Sequence, residues 1–314
     1  MSDYEQIDLN KISTYSIAQR LNKVAVTDFA KPYRRGASFQ QFFASLPGIL
    51  VSADFKHLVQ TAVQAHRDGR QLIAMMGAHV IKCGLSPLII QLMEAGIIRC
   101  LALNGAGIIH DSEIANWGTT SEDVAEALQD GSFGMAAETP AFINDALESG
   151  HRLRLGLGEA VGKKIWESDC QFKHLSVLAA GYRLKIPVTV HVAIGTDIIH
   201  QHPSTDGKIV GELSYRDFKI FTSQVAKLSK GSLVLNFGSA VILPEVFLKA
   251  LSIARNLGYP AHGFTTANFD MIRHYRPQVN VVQRPTQTGG QGYYFIGHHE
   301  IMIPLLTAAI LEAL

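Results

Sequence analysis

The chain has 314 residues, 28 basic and 27 acidic side chains, a net charge of +1, and 47% hydrophobic residues with 27 glycines and 11 prolines. That balance describes a globular protein able to bury a large core and excludes a fibrous or disordered chain. The near-neutral charge leaves no electrostatic footprint for nucleic acid or an anionic membrane surface.

Residues 1–36 are polar and turn-rich, the composition of an arm that wraps the surface or a neighbouring subunit. Their opening stretch MSDYEQIDLNKISTYS has no apolar signal core. The spacing predicts a helix over 38–45, a short strand at 48–52 (GILVS) and a helix over 55–65, where Leu58, Val59, Ala62 and Val63 recur at helical intervals. In LIAMMGAHVIKCGLSPLIIQLMEAGIIRCLALNGAGIIHD (72–111), two apolar runs, 72–76 and 97–103, flank a periodic segment carrying Leu88, Ile89, Leu92 and Met93. Each run ends in small residues, which is the pattern of a βαβ unit whose strands are buried on both faces.

Helix-start signals at Thr120, Ser121 and Asp123 predict a helix over 121–128, and 139–182 reads as mostly helical. Strands are then expected at 187–194, 232–237, 262–266, 280–284 and 293–296, alternating with helices at 215–228, 244–257 and 301–314. The alternation predicts an α/β fold with a doubly wound, mainly parallel Rossmann-like sheet and helices on both faces. The expected organisation is an arm over 1–36 and one large domain over 37–314, with a mostly helical insertion at about 121–182. No apolar run approaches the roughly 18 residues of a membrane span. Cys83, Cys100 and Cys170, odd in number and without CxxC spacing, read as reduced thiols, so the expected location is the cytoplasm.

In such a sheet ligands bind beyond the carboxyl ends of the strands, where glycine admits close backbone approach. The cofactor-binding candidates are therefore the turns at Gly77, at Asn104, Gly105, Ala106 and Gly107, and at Gly238 with Ser239. The full G-x-G-x-x-G spacing is absent, and ordinary strand–helix junctions use the same turns. A second constellation, HVAIGTDIIHQHP, brings His191, Asp197, His200 and His202 together in sequence, suited to proton transfer or to a divalent metal. Near the C-terminus Thr265, Thr266 and Asn268 end a strand, where their side chains suit a ribose. His298, His299 and Glu300 precede the last helix and cap it or line the cleft, and 285–292 (PTQTGGQG) reads as a lid or a hairpin. No GxSxG elbow, Walker loop or kinase motif is present.

The stretch 72–111, with SVLAAGYRLKIPVTVHVAIGTD, LNFGSAVILPEVFLKAL, HGFTTANFD and MIPLLTAAIL, resembles the deoxyhypusine synthase family in order from about Gly48 to the C-terminus. The resemblance implies NAD across the strand ends and a homotetramer acting on a small-molecule substrate. It places Gly105, Ala106 and Gly107 at the family's NAD turn and Thr266 and Ala267 at its threonine–alanine contact. His79 falls in the family's Asn/Ser region, His110 replaces a nicotinamide-side glutamate, and Asp111 is kept. Gly195 and His200 stand for two loop aspartates, and the region 243–245 replaces a histidine pair. The family's reactive lysine has no counterpart, because Lys249 is the last lysine of the chain. Imine chemistry needs an amine that can lose its proton, which Arg284 cannot do.

The expected function is thus an NAD-dependent dehydrogenase- or transferase-type activity on a small, amine-type substrate, without hypusine formation. His110, His191, His200 and Asp197 are the catalytic candidates, and no metal is required. Two alternatives stand beside it: a metal-assisted hydrolase or lyase built on His191, Asp197, His200 and His202, and a non-catalytic nucleotide-binding protein.

Overall fold

The computed structural model describes residues 2–314, which fall into two units, one reaching to Ala53 and the other Asp54–Leu314. The first unit contains three 3-10 turns (Leu9–Lys11, Ile17–Gln19 and Val26–Asp28), helix α1 (Phe39–Ser45) and the opening of α2 (Leu50–Arg67). Local side-chain bonds shape it: at α1, Ser38 Oγ accepts from the Gln41 amide while Gln41 Oε1 accepts from the Ser38 amide. None of its described residues is buried.

The second unit alternates strands and helices. β1 (Leu72–Met76) leads through α3 (His79–Lys82) and α4 (Ser86–Glu94) to β2 (Cys100–Asn104). Five helices follow before the next strand: α5 (Gly105–Trp117), α6 (Val124–Ala127), α7 (Glu138–Leu153), α8 (Leu157–Glu167) and α9 (Val177–Leu184). Then come β3 (Val188–His191), α10 (Gly207–Val225), β4 (Leu233–Phe237), α11 (Ile242–Asn256) and β5 (Thr265–Asp270). A short α12 (Tyr275–Pro277) runs into a π-helical segment, Gln278–Gln283, ahead of β6 (Gln291–Ile296) and α13 (His299–Ala313).

The six strands form one all-parallel sheet in the order β3-β2-β1-β4-β5-β6. The order reverses between β1 and β4, the switch point at which α/β sheets open a crevice. The expected α/β, doubly wound Rossmann-like sheet is therefore the observed fold, and every pairing in it is parallel. No helix among the described residues is long and apolar enough to cross a membrane.

Two expected strands are helical instead. Residues 48–52 lead into α2, whose buried Phe55, Leu58, Val59, Ala62 and Val63 continue at helical spacing; a short apolar run does not reveal its own period. Residues 280–284 belong to the π-helical segment and the turn after it, where Arg284 reaches back four residues to Asn280 Oδ1 at 2.8 Å. The helix expected over 121–128 shrinks to α6, with Asp123 rather than Ser121 capping it by accepting from the Ala125 and Glu126 amides.

The two faces of the sheet differ in chemistry. Phe237, Phe269 and Phe295 project from one face, Phe269 packing against both of the others, and Phe55 of α2 meets Phe269 and Phe295 edge-on, each such pair adding about 0.5–1.5 kcal/mol beyond area burial. On the other face Ile73, Met75 and Val234 pack against Phe221, Leu243 and Phe247 of α10 and α11. That second face carries Asn104, His191, Asn236, Asn268 and Asp270 toward the carboxyl ends, since alternate residues of a strand share a face. Thr265 and Thr266, expected to end a strand, open β5 instead, so Thr266 lies at its amino end.

Candidate functional site

All six carboxyl ends lie on one edge, and polar groups without partners collect there. Asn236 and Asn268 face each other across β4 and β5, fully buried, with Asn236 Nδ2 donating to Asn268 Oδ1 at 2.6 Å and to the Ser239 carbonyl at 3.0 Å. Their remaining atoms, Asn236 Oδ1 and Asn268 Nδ2, have no hydrogen-bond partner, and neither do Asn104 Oδ1, His299 Nδ1 or Asp270 Oδ2, the last lying 3.8 Å from His274 Nε2. A buried polar atom left unpaired costs about 1–3 kcal/mol, so this concentration is what an edge awaiting a polar ligand looks like.

The glycine turns fit closely around these groups. A Cβ on Gly77 would stand 2.8 Å from the Gly238 carbonyl oxygen, so β1 and β4 approach backbone to backbone. Gly238 adopts φ +65, and a Cβ there would lie 2.5 Å from His299 Nε2. At the third turn, a Cβ on Gly105 would sit 1.9 Å from Asp197 Oδ2. The start of α5 thus holds the chain's own carboxylate rather than open space, and Gly107 packs on Leu103 of the preceding strand. Asp197 is 7% exposed with Oδ2 unpaired, and burial pushes its carboxyl up from the usual range against the opposing pull of His200.

Beside this turn opens a cavity of about 710 Å³, lined by Lys82, Ala106, His110, Glu113, Trp117, Thr120, Glu122, Glu138, Thr139 and Asp197, among others. Four carboxylates face one ammonium, a charge pattern that draws cations. Inside it runs a relay. Thr120 Oγ1 donates to Glu113 Oε2, and Thr139 Oγ1 donates to Glu113 Oε1 at 2.9 Å. With its proton committed, Thr120 accepts from His110 Nδ1 at 2.6 Å, which leaves Nε2 as the basic nitrogen of His110. Burial holds the His110 imidazole below its ordinary pKa, with Glu113 opposing the shift and Lys82 adding to it.

The remaining sequence candidates take varied places. His191 is buried at the end of β3, its Nε2 3.0 Å from Thr189 Oγ1 and its ring edge-on to Phe221, and burial lowers its pKa to about 3. It stays neutral and does not act as a base near neutrality. His200 organises its loop: Nδ1 accepts from the Gly195 and Asp197 amides, both at 3.2 Å. His202 turns to Ser204 Oγ at 3.0 Å. The histidine–aspartate metal cluster is therefore not assembled, and among the described residues no three His, Cys, Asp or Glu side chains converge to hold a metal ion.

Asp111 points away from the edge, accepting from Ser176 Oγ at 2.5 Å and from the Val177 and Leu178 amides at 2.9 and 3.2 Å, so it caps α9. Ser239 Oγ accepts from the Leu243 amide and closes the start of α11. Gly195 adopts φ +92 in open space. Thr265 and Ala267 fall on the apolar face, and of that run only Thr266 joins the polar one. Of the final histidine pair, His299 is turned inward at 2% exposure, whereas the His298 side chain is 64% exposed beside Glu300. The glycine loop 285–292 enters the amino end of β6, where Thr288 Oγ1 meets His262 and Arg255, so it is no lid over the carboxyl edge.

Sequence reasoning missed Asn236, Asp270, Glu113 and Thr120 as site residues. For the first two a signal existed: an asparagine inside the apolar run LVLNF, and the two-residue alternation of Thr266, Asn268 and Asp270 in TTANFD.

Compared by sequence, the chain matches no family model and no curated protein. Its fold does match solved structures. A "putative deoxyhypusine synthase" from Entamoeba histolytica superposes with TM-score 0.53 at 10% identity, over 90% of this chain and 96% of that one. A "conserved putative LOR/SDH protein" from Methanococcus maripaludis S2 gives 0.52 at 15% identity, over 83% and 70%. AgrE, solved in a ternary complex with ornithine and NAD+, gives 0.51 at 14% identity, and here this chain spans 33% of the other's length. These likenesses show an α/β Rossmann-like fold.

Proposed function

We propose that the chain binds NAD along the carboxyl ends of β1, β4 and β5 and uses it on a small amine held in the cavity over α5, as a deoxyhypusine-synthase-like enzyme that does not form hypusine. One observation carries this reading: fully buried Asn236, on β4 at the switch point, and Asn268, on the next strand, keep an acceptor and a donor without a hydrogen-bond partner. The residues fit a dinucleotide. Asn268 and Asp270 supply amide and carboxylate toward the carboxyl end of one strand, and Gly77 and Gly238 let the neighbouring backbones and the His299 ring pack closely beside them.

A bound nicotinamide supplies a hydride acceptor. The chain's own groups do the rest. Asp197, Glu122 and Glu138 attract and orient the ammonium, Trp117 and Phe133 cover its apolar part, and His110 Nε2 takes a proton while its Nδ1–H remains held by Thr120. No lysine follows Lys249, so the transfer through a lysine imine expected of the family has no matching residue. AgrE's complex with ornithine and NAD+ supports the pairing of cofactor and amine on this fold.

Calorimetric titration with NAD, on the native chain and on Asn268→Leu, tests the reading. Saturable binding is expected, weakened about tenfold or more in the variant, since losing a hydrogen bond to a buried group costs about 1–3 kcal/mol and 1.4 kcal/mol is tenfold in affinity. Absence of binding at millimolar NAD refutes it.

A further inference from the structure

We propose that Cys83 and His79 form a nucleophilic thiol–imidazole pair that adds reversibly to the carbonyl carbon of a small aldehyde at the carboxyl edge of β1. The two residues stand four apart on the single turn that follows β1, which stacks them on one face, and Cys83 Sγ lies 3.3 Å from His79 Nε2. Accessibility separates this thiol from the others: Cys83 is half-buried and His79 exposed, whereas Cys100 and Cys170 are buried.

A second observation points to a ligand at the same place. The His299 ring centre is 6.1 Å from that of His79, and its Nδ1 has no partner although the residue is 2% exposed. Asp270, 6% exposed at the end of β5, acts electrostatically on His299, and its Oδ2 accepts no hydrogen bond, with His274 Nε2 at 3.8 Å. The charged groups acting on Cys83 are Glu300 and Lys82, and burial together with Glu300 keeps the thiol protonated at rest. Attack therefore requires an acceptor for that proton, which His79 Nε2 provides.

The step balances without an oxidant. The S–C bond forms as the carbonyl π bond opens, the thiol proton passes to His79 Nε2, and from there it reaches the carbonyl oxygen to give a thiohemiacetal. The assignment rests on the proposed function, because dehydrogenating an amine carbon gives an imine, whose hydrolysis breaks the C–N bond, releases ammonia and leaves an aldehyde. It does not require NAD to be bound.

Carbon-13 NMR of the full chain with carbonyl-labelled acetaldehyde, and no cofactor, decides the matter. Expected is a protein-bound tetrahedral carbon attached to sulfur, absent in Cys83→Ala, and forming roughly a hundredfold more slowly in His79→Gln, the low end of general-base catalysis. No such signal with the folded native chain overturns the proposal, and so does an adduct on Cys83 whose rate His79→Gln leaves unchanged. NAD titration of the same sample separates a failure here from a failure of the cofactor reading.

Discussion

Asp197 meets the helix start at Gly105 because that residue has no side chain to stop it. Adding a Cβ there drives it to 1.9 Å from Oδ2, and overpacking of this kind costs about 1–3 kcal/mol. Gly105→Ala should therefore destabilise the chain, and most of the loss should return in the Asp197→Ala background. A double-mutant cycle of urea midpoints measures that coupling, and additivity would disprove the contact. The His110 relay makes a prediction about pH. Glu113 raises the His110 pKa against burial, so Glu113→Gln should move the acidic limb of a pH–rate profile to lower pH, because the imidazole then loses its proton-holding neighbour. A limb that stays in place would show that another group acts as the base.

Elements were legible in the sequence where their periodicity is long or their ends are marked, and illegible where a partner lies far along the chain. The strands β1 to β4 and the turns after them follow from apolar runs closed by glycine or small residues, and α4 and α7 to α11 from helical spacing. The run at 280–284 has the β-branched look of a strand, yet its Asn280 and Arg284 bond at helical spacing. Nothing local announces that Asp111, which sequence alone puts on the cofactor turn, caps a helix beginning 66 residues later. Its carboxylate holds a hydroxyl and two amides at the start of α9, where negative charge also suits the helix dipole. Asp111→Ala should accordingly cost about 1–3 kcal/mol in denaturant stability by leaving those donors unpaired. If stability is unchanged and only NAD affinity falls, the capping role is refuted.

At the scale of the molecule, the second unit buries Asp111 and Asp217 almost completely, at 1% exposure each, and stability should record it. Asp217 on α10 accepts from the Val190 amide at 2.7 Å and the Gly158 amide at 2.9 Å, sealing the open edge of β3 and the start of α8, yet burial pushes its pKa up to about 7. Asp111 is raised to about 6 by the same cause. An unfolded aspartate titrates near 3.9. Between about pH 4 and 7 the folded chain retains a proton at Asp217 that the unfolded chain has released, so stability falls as pH rises through that window and levels off above it. His191, held neutral down to about 3, works in the opposite sense: below about pH 6.5 the unfolded chain takes up a proton that the folded chain refuses. The native curve therefore mixes both slopes, and a difference is needed to isolate one. Asp217→Asn removes the aspartate's contribution while leaving His191 in place, so native stability minus that of the variant should decline between about pH 4 and 7 and be flat beyond. Urea midpoints measured across that range provide the curve. A difference independent of pH would mean that Asp217 is ionised in the folded chain, its charge held by the two amides alone.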